Sequence, residues 1–139
     1  MNYLIDTNVI SELVKPKPEK QVTRWFASVP SESLYLSVLT LGEIRKGVTK
    51  VSDSTKKEKL RIWLEHELPA WFSNRILPID AGVSERWGRL LGQHKKTLPA
   101  IDSLIAATAL HFDLCLITRN ISDFDGFTEL QIINPWDIN

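Results

Sequence analysis

Short apolar runs of strand length alternate along this chain with longer stretches of helical pattern. Strands are expected at residues 3–6, 34–37, 75–79, 115–118 and 131–133. Helices are expected at 9–14, 19–28, 38–48, 83–95 and 99–112, the second following the Lys15-Pro16-Lys17-Pro18 breaker. Another long helix should begin at Thr55-Lys56-Lys57-Glu58, which has the form of a capping box. Pro69 should kink or end it, leaving a short turn through Trp71 and Phe72. Strands separated by helical stretches imply a parallel sheet covered on both faces. Its strands should then read as continuous apolar runs, as 114–117 and 132–133 do. The predicted class is α/β: a three-layer α/β/α sandwich around a short parallel sheet, with residues 1–139 as a single domain.

Composition agrees with that picture. With 43% hydrophobic and 24% charged residues, 139 residues make an ordinary globular domain able to bury a core without staples. The lone Cys115 excludes an internal disulfide framework and a zinc-binding Cys pair, and its apolar surroundings make it a core residue. No apolar stretch approaches the roughly 20 residues of a membrane span. The N-terminus runs directly into the first strand without a basic region or cleavage site, so a cytoplasmic location is the default expectation. Charge changes the picture more. Seventeen basic residues balance 17 acidic ones, which counts against a broad grip on nucleic acid. It fits a site that holds a short, exposed strand through a metal and a few local cations.

Candidate chemistry lies in four acids at predicted element boundaries: Asp6, Glu43, Asp102 and Asp123. In an open parallel sheet, ligands bind beyond the carboxyl ends of the strands, where strand order reverses. Acids delivered to that edge can converge there, and carboxylates without His or Cys suit a hard cation such as Mg²⁺ or Mn²⁺ rather than zinc. Each acid also has a plainer reading. Asp6 is equally a turn residue, with Thr7 and Asn8 able to cap a helix or to hold a metal-bound water. Glu43 can be an exposed helix residue paired with Lys46 or Lys50, although its apolar neighbours and the adjacent Gly42 suggest a close approach. Asp102 can be a helix-start residue favoured by the helix dipole; Ala106, Ala107 and Ala109 would let its helix lie close to the sheet. Asp123 can cap a turn, and Asp125 stands nearby.

The motifs Ile5-Asp6-Thr7-Asn8, Gly42-Glu43-Ile44-Arg45-Lys46-Gly47, the run from Ile101-Asp102-Ser103 to Leu110, and Thr118-Arg119-Asn120-Ile121-Ser122-Asp123-Phe124 occur in an order and spacing that resemble PIN-domain proteins. More narrowly the chain is similar to the VapC toxins of the FitB-like branch, over essentially its whole length to Ile133-Asn134-Pro135-Trp136. The resemblance implies a Mg²⁺-dependent endoribonuclease, the toxin of a toxin–antitoxin system, with Asp6, Glu43, Asp102 and Asp123 as catalytic and metal-binding residues. It selects Asp123 over Asp125, because the family pattern places the acid directly before Phe124. It also implies an RNA substrate, a small antitoxin partner occupying the cleft, and pairing as a homodimer.

A receiver-like phosphoacceptor domain needs two adjacent acids after the first strand and a Lys after the last, and neither is present. A haloacid-dehalogenase-type phosphatase needs an acid two positions after Asp6, where Asn8 stands. A non-cleaving PIN-fold binding subunit remains open, with all four acids intact against it. Arg45, Lys46, Arg86, Arg89 and Arg119 are the candidate phosphate contacts, with a solvated helix face the plainer account of Arg86 and Arg89. His66, His94 and His111 read as helix-surface or edge residues. Trp25, Trp63 and Trp71 are either core or a partner-facing surface.

Overall fold

The computed structural model describes residues 1–138. Five short strands pair in parallel: β1 (Tyr3–Ile5), β2 (Leu34–Ser37), β3 (Ile76–Leu77), β4 (Cys115–Ile117) and β5 (Ile132–Ile133), in the order β3-β2-β1-β4-β5. Strand β1 is central. Its Leu4 sits opposite Tyr35 on one side and Leu116 on the other. Leu4, Ile5, Leu36, Leu116 and Ile117 are all buried, as expected of strands covered by helices on both faces. The chain builds outward from β1 to β3, then returns to the opposite flank for β4 and β5. The reversal of strand order therefore falls between β1 and β4.

Helices α1 (Thr7–Glu12), α2 (Lys20–Ser28), α3 (Val38–Thr49), α4 (Ser54–Ile62) and α5 (Leu68–Phe72) serve one core, which includes Val9, Ile10, Trp25, Ile44 and Phe72. Helices α6 (Ala81–Gln93) and α7 (Ala100–His111) serve the other, with Val83, Ile105 and Phe124. This is the three-layer arrangement expected. The two cores differ in texture. Trp25 is buried in the first, in edge contact with Tyr3 and Phe26 at 5.1 Å. The second admits a thin helix, since Ala106, Ala107 and Ala109 are fully buried. Gly82 on α6 faces the exposed His111 ring at the end of α7, and a Cβ there would come within 2.5 Å of it, so the ring would have to turn away.

Several local expectations shift. The long helix does not end at Pro69. It passes through a π turn (Trp63–Glu67) in which the Leu68 N–H reaches back to the Trp63 carbonyl, and then continues as α5. Proline has no N–H to donate and crowds the carbonyl four residues back; the wider turn just before it accommodates both effects. The helix is capped two residues earlier than the capping-box reading placed it, by Asp53, whose carboxylate accepts from the Lys56 N–H at 2.9 Å. Strand β3 keeps only two of its five expected residues. Gly42 makes no close approach: nothing lies within 4 Å of the Cβ it lacks. Glu12, not singled out from sequence, is buried and pins the Pro16–Pro18 connection. It pairs with Lys15 at 2.8 Å and accepts from the Glu19 N–H at 3.0 Å.

Candidate active site

Asp6 leaves the central strand at the reversal point. Its own N–H donates to the Ile117 carbonyl at 2.9 Å, which extends the β1–β4 ladder by one residue. Its side chain caps α1, Oδ1 accepting from the Thr7 N–H at 2.9 Å. The fully buried Thr118, one residue beyond β4, donates its hydroxyl to Asp6 Oδ2 at 2.8 Å. Thr118 in turn accepts from the Asn120 N–H at 3.1 Å, while Asn8 Oδ1 accepts from the Arg119 N–H at 3.2 Å. The ends of two neighbouring parallel strands are thus stitched together around one carboxylate. Burial pushes the Asp6 carboxyl above its ordinary range. The Thr118 and Thr7 hydrogen bonds offset part of that shift, and the charges of Glu43 and Asp102 add to it.

Glu43 arrives by a different route. Strand β2 runs directly into α3, whose N-terminus is capped by Ser37, its Oγ accepting from the Leu39 N–H at 3.1 Å. One and a half turns on, Glu43 projects as an exposed side chain. Its partner is neither Lys46 nor Lys50: Thr7 donates its hydroxyl to Glu43 Oε1 at 2.6 Å. Thr7 therefore touches two acids, one through its backbone and one through its hydroxyl. Sequence gave no sign of the second contact, which spans 36 positions.

Asp102 lies in the first turn of α7, brought to the sheet edge by the alanine face below it. Its carboxyl is also raised, by burial first, then by the charges of Asp123 and Glu43. Asp123 is exposed, in a short 3₁₀ turn (Ile121–Asp123) anchored by the buried Phe124 that follows. The structure brings all four acids to one edge. Asp6 feels Glu43 and Asp102, and Asp102 feels Asp123 and Glu43. Among the described residues none of the four pairs with Lys or Arg. Nor, among those residues, do three Asp, Glu, His or Cys side chains close to metal-holding distance. The donor set is nevertheless all carboxylate, and carboxylate oxygens suit hard divalent cations.

Most of the expected phosphate-binding cations are engaged elsewhere. Arg45 pairs with Glu65 at 3.4 Å, Arg86 with Glu129 at 2.7 Å and Arg89 with Glu85 at 3.5 Å. The Arg119 guanidinium lies 4.8 Å over the Trp136 ring. Lys46 alone of the five is exposed and free of such a contact among the described residues. Beside the Thr7–Glu43 pair opens a hollow of about 270 Å³ between α1, α3 and α4, with Val14, Ile44, Leu60 and Trp63 in its lining.

The PIN domain family matches residues 3–128. The chain is 37% identical to toxin FitB of Neisseria gonorrhoeae, over 96% of this chain and 97% of that one. It is 36% identical to the VapC ribonuclease Y4jK of Sinorhizobium fredii, with coverage of 96% and 97%. Among solved structures, FitAcB from Neisseria gonorrhoeae superposes with a TM-score of 0.89 at 36% identity, covering 98% of this chain and 99% of its own. The chain belongs to the PIN-domain family and, within it, to the FitB/VapC toxins.

Proposed function

We propose that this protein is a divalent-metal-dependent endoribonuclease and the toxin of a toxin–antitoxin pair, working through Asp6, Glu43, Asp102 and Asp123. The observation that carries this reading is the approach of four carboxylates from four separate elements at the strand-order reversal, none of them ion-paired to Lys or Arg among the described residues. Such an arrangement costs stability, and sites of that kind mark function. Asp6, Asp102 and Asp123 would hold Mg²⁺, for which Mn²⁺ can substitute; Glu43 either joins them or orients water. The bound ion supplies Lewis acidity toward water and the scissile phosphate. The chain's own part is positional. Thr118 and Thr7 fix the Asp6 carboxylate from two sides, and Thr7 ties Glu43 to the same point.

A toxin must be held inactive in the cytoplasm of the cell that makes it. A small antitoxin fits the hollow beside Thr7 and Glu43, its apolar residues against Trp63 and Leu60 and a basic residue directed at the acids. The toxin itself is expected to pair as a homodimer. The deciding test is expression of Asp6→Asn and Asp102→Asn variants. Both should fold, and both should lose growth arrest and RNA cleavage, whereas wild type should leave 5′-phosphate ends. A folded variant that cleaves at the wild-type rate with Mg²⁺ removes the assignment. Purification with the neighbouring gene product should yield a stoichiometric, inactive complex.

A further inference from the structure

Two hollows of about 320 and 330 Å³ adjoin across the connection between α6 and α7, sharing His94, Lys95 and Lys96. The first ends at Asp123 and Asp125; the second ends at Trp87. Lys95 and Lys96 are exposed and, among the described residues, neither has a carboxylate at ion-pair distance. In that they differ from Arg45, Arg86 and Arg89. The groove is also held in shape. His94 faces the Leu90 carbonyl through Nδ1 at 2.9 Å and the Gly126 carbonyl through Nε2 at 3.2 Å, tying the end of α6 to the loop that carries Asp123. Trp87 is half-buried against the second core, fixed by its indole N–H, which donates to Ser103 Oγ at 2.9 Å, and lines the groove with the surface that remains.

From this juxtaposition we infer that the groove from Asp123 past Lys95 and Lys96 to Trp87 is the path of the single-stranded RNA flanking the scissile bond, its phosphates on the two lysines and a base against Trp87. The inference rests on the nuclease reading above. Uncommitted cations interleaved with an aromatic ring are what a single strand requires: charge for the backbone and a π face for an unstacked base. A duplex offers no such base. The acids of the groove do not forbid this path, because Asp123 belongs to the acid cluster and Asp125 is a single charge against two lysines. A net charge of zero further requires that any backbone contact be local, as it is here.

Anisotropy of a fluorescent, mixed-sequence, single-stranded RNA pool, titrated from 50 to 200 mM KCl, tests the path. Neutralising two phosphate contacts in Lys95→Gln/Lys96→Gln should lower the slope of log K against log salt by about 1.4, at about 0.7 per contact. Trp87→Leu should weaken single-strand binding about fivefold or more and leave the salt slope unchanged. Lys20→Gln/Arg24→Gln on α2 removes the same charge and should leave the slope near that of wild type. Cleavage of total cellular RNA, read by end sequencing, runs in parallel. If wild type cleaves and the lysine variant matches it in affinity and slope, or if the α2 variant loses as much, the groove assignment falls while the nuclease stands. If wild type neither binds nor cleaves RNA, both fall together.

Discussion

Replacing Thr118 by Val isolates the contact that holds the candidate site together. The two side chains match in shape, and only the hydroxyl is lost. That hydroxyl donates to Asp6 Oδ2 at 2.8 Å from a fully buried position, where water cannot readily replace it. It also accepts from the Asn120 N–H and, at 3.4 Å, from Asn8 Nδ2, but Asn120 is exposed and can turn to solvent, and Asn8 Nδ2 keeps its contact with Asp6 Oδ2. A hydrogen bond to a charged group contributes about 1.5–3 kcal/mol. Unfolding entropy of about 2.1 cal/mol/K per residue, over 139 residues, converts this to a midpoint lower by roughly 5–10 °C. The pH dependence follows from sign. A carboxyl raised in the folded state costs nothing below its unfolded pKa; the cost grows as pH rises and is complete above the folded pKa. Loss of Thr118 raises Asp6 further, so the deficit of the variant should be small near pH 4 and widen toward pH 7.5. Thr118→Ser keeps the donor and should recover most of the loss. Thermal melts of all three proteins at both pH values decide the matter. Equal deficits for Val and Ser, or a Val deficit that ignores pH, would refute a charge-assisted bond to Asp6.

Asp102→Asn removes one of the repelling charges, so without metal it should melt above wild type, by at most a few degrees given the half-exposed position. Mn²⁺ at about 100 times its dissociation constant should stabilise wild type by about 2.7 kcal/mol and the variant much less; equal shifts would mean that Asp102 does not face the ion. The Leu90 carbonyl, and then that of Gly126, raise the pKa of His94. Its contribution is complete below the ordinary value near 6.5 and is lost as pH rises through the higher folded value. The stability gap between wild type and His94→Leu should therefore narrow above neutrality, and denaturant melts across pH that show a constant gap would exclude this role. Burial pushes the Cys115 thiol up to about 11, so alkylation at pH 8 should proceed only as fast as the protein opens. Rapid labelling of the native state would place Cys115 outside the core.

Layer order and sheet direction were legible because the strands are short, mostly apolar runs separated by longer helical stretches. Of the four acids, only Asp6 stands directly at a strand exit; Glu43, Asp102 and Asp123 were picked out by motif spacing. Side-chain partnerships were not legible. Thr7 hydroxyl to Glu43, and Thr118 to Asp6, join residues far apart in sequence, and nothing local distinguishes them from ordinary capping. Glu12 escaped notice because its burial depends on Lys15 and the Glu19 N–H closing over it. Pro69 misled in the opposite direction. Local sterics say stop, yet the buried Leu68 and Phe72 keep the segment packed, and a π turn satisfies both demands. Among the candidate cations the Arg45 partner was not legible, since Glu65 lies 20 positions away, whereas Arg86 and Arg89 are the ion-paired helix residues their plainer reading expected.

The Thr118–Asp6 bond spans 112 positions, and that span has a meaning in time. Synthesis adds about 5–20 residues per second, so the first acid waits roughly 6–22 s for the strand that completes its surroundings. Throughout that interval Asp6 lacks both its backbone acceptor on Ile117 and the hydroxyl beyond it. A chain cut before β4 would leave Asp6 with neither contact. The order of translation thus acts as a delay between the first acid and the contacts that hold it.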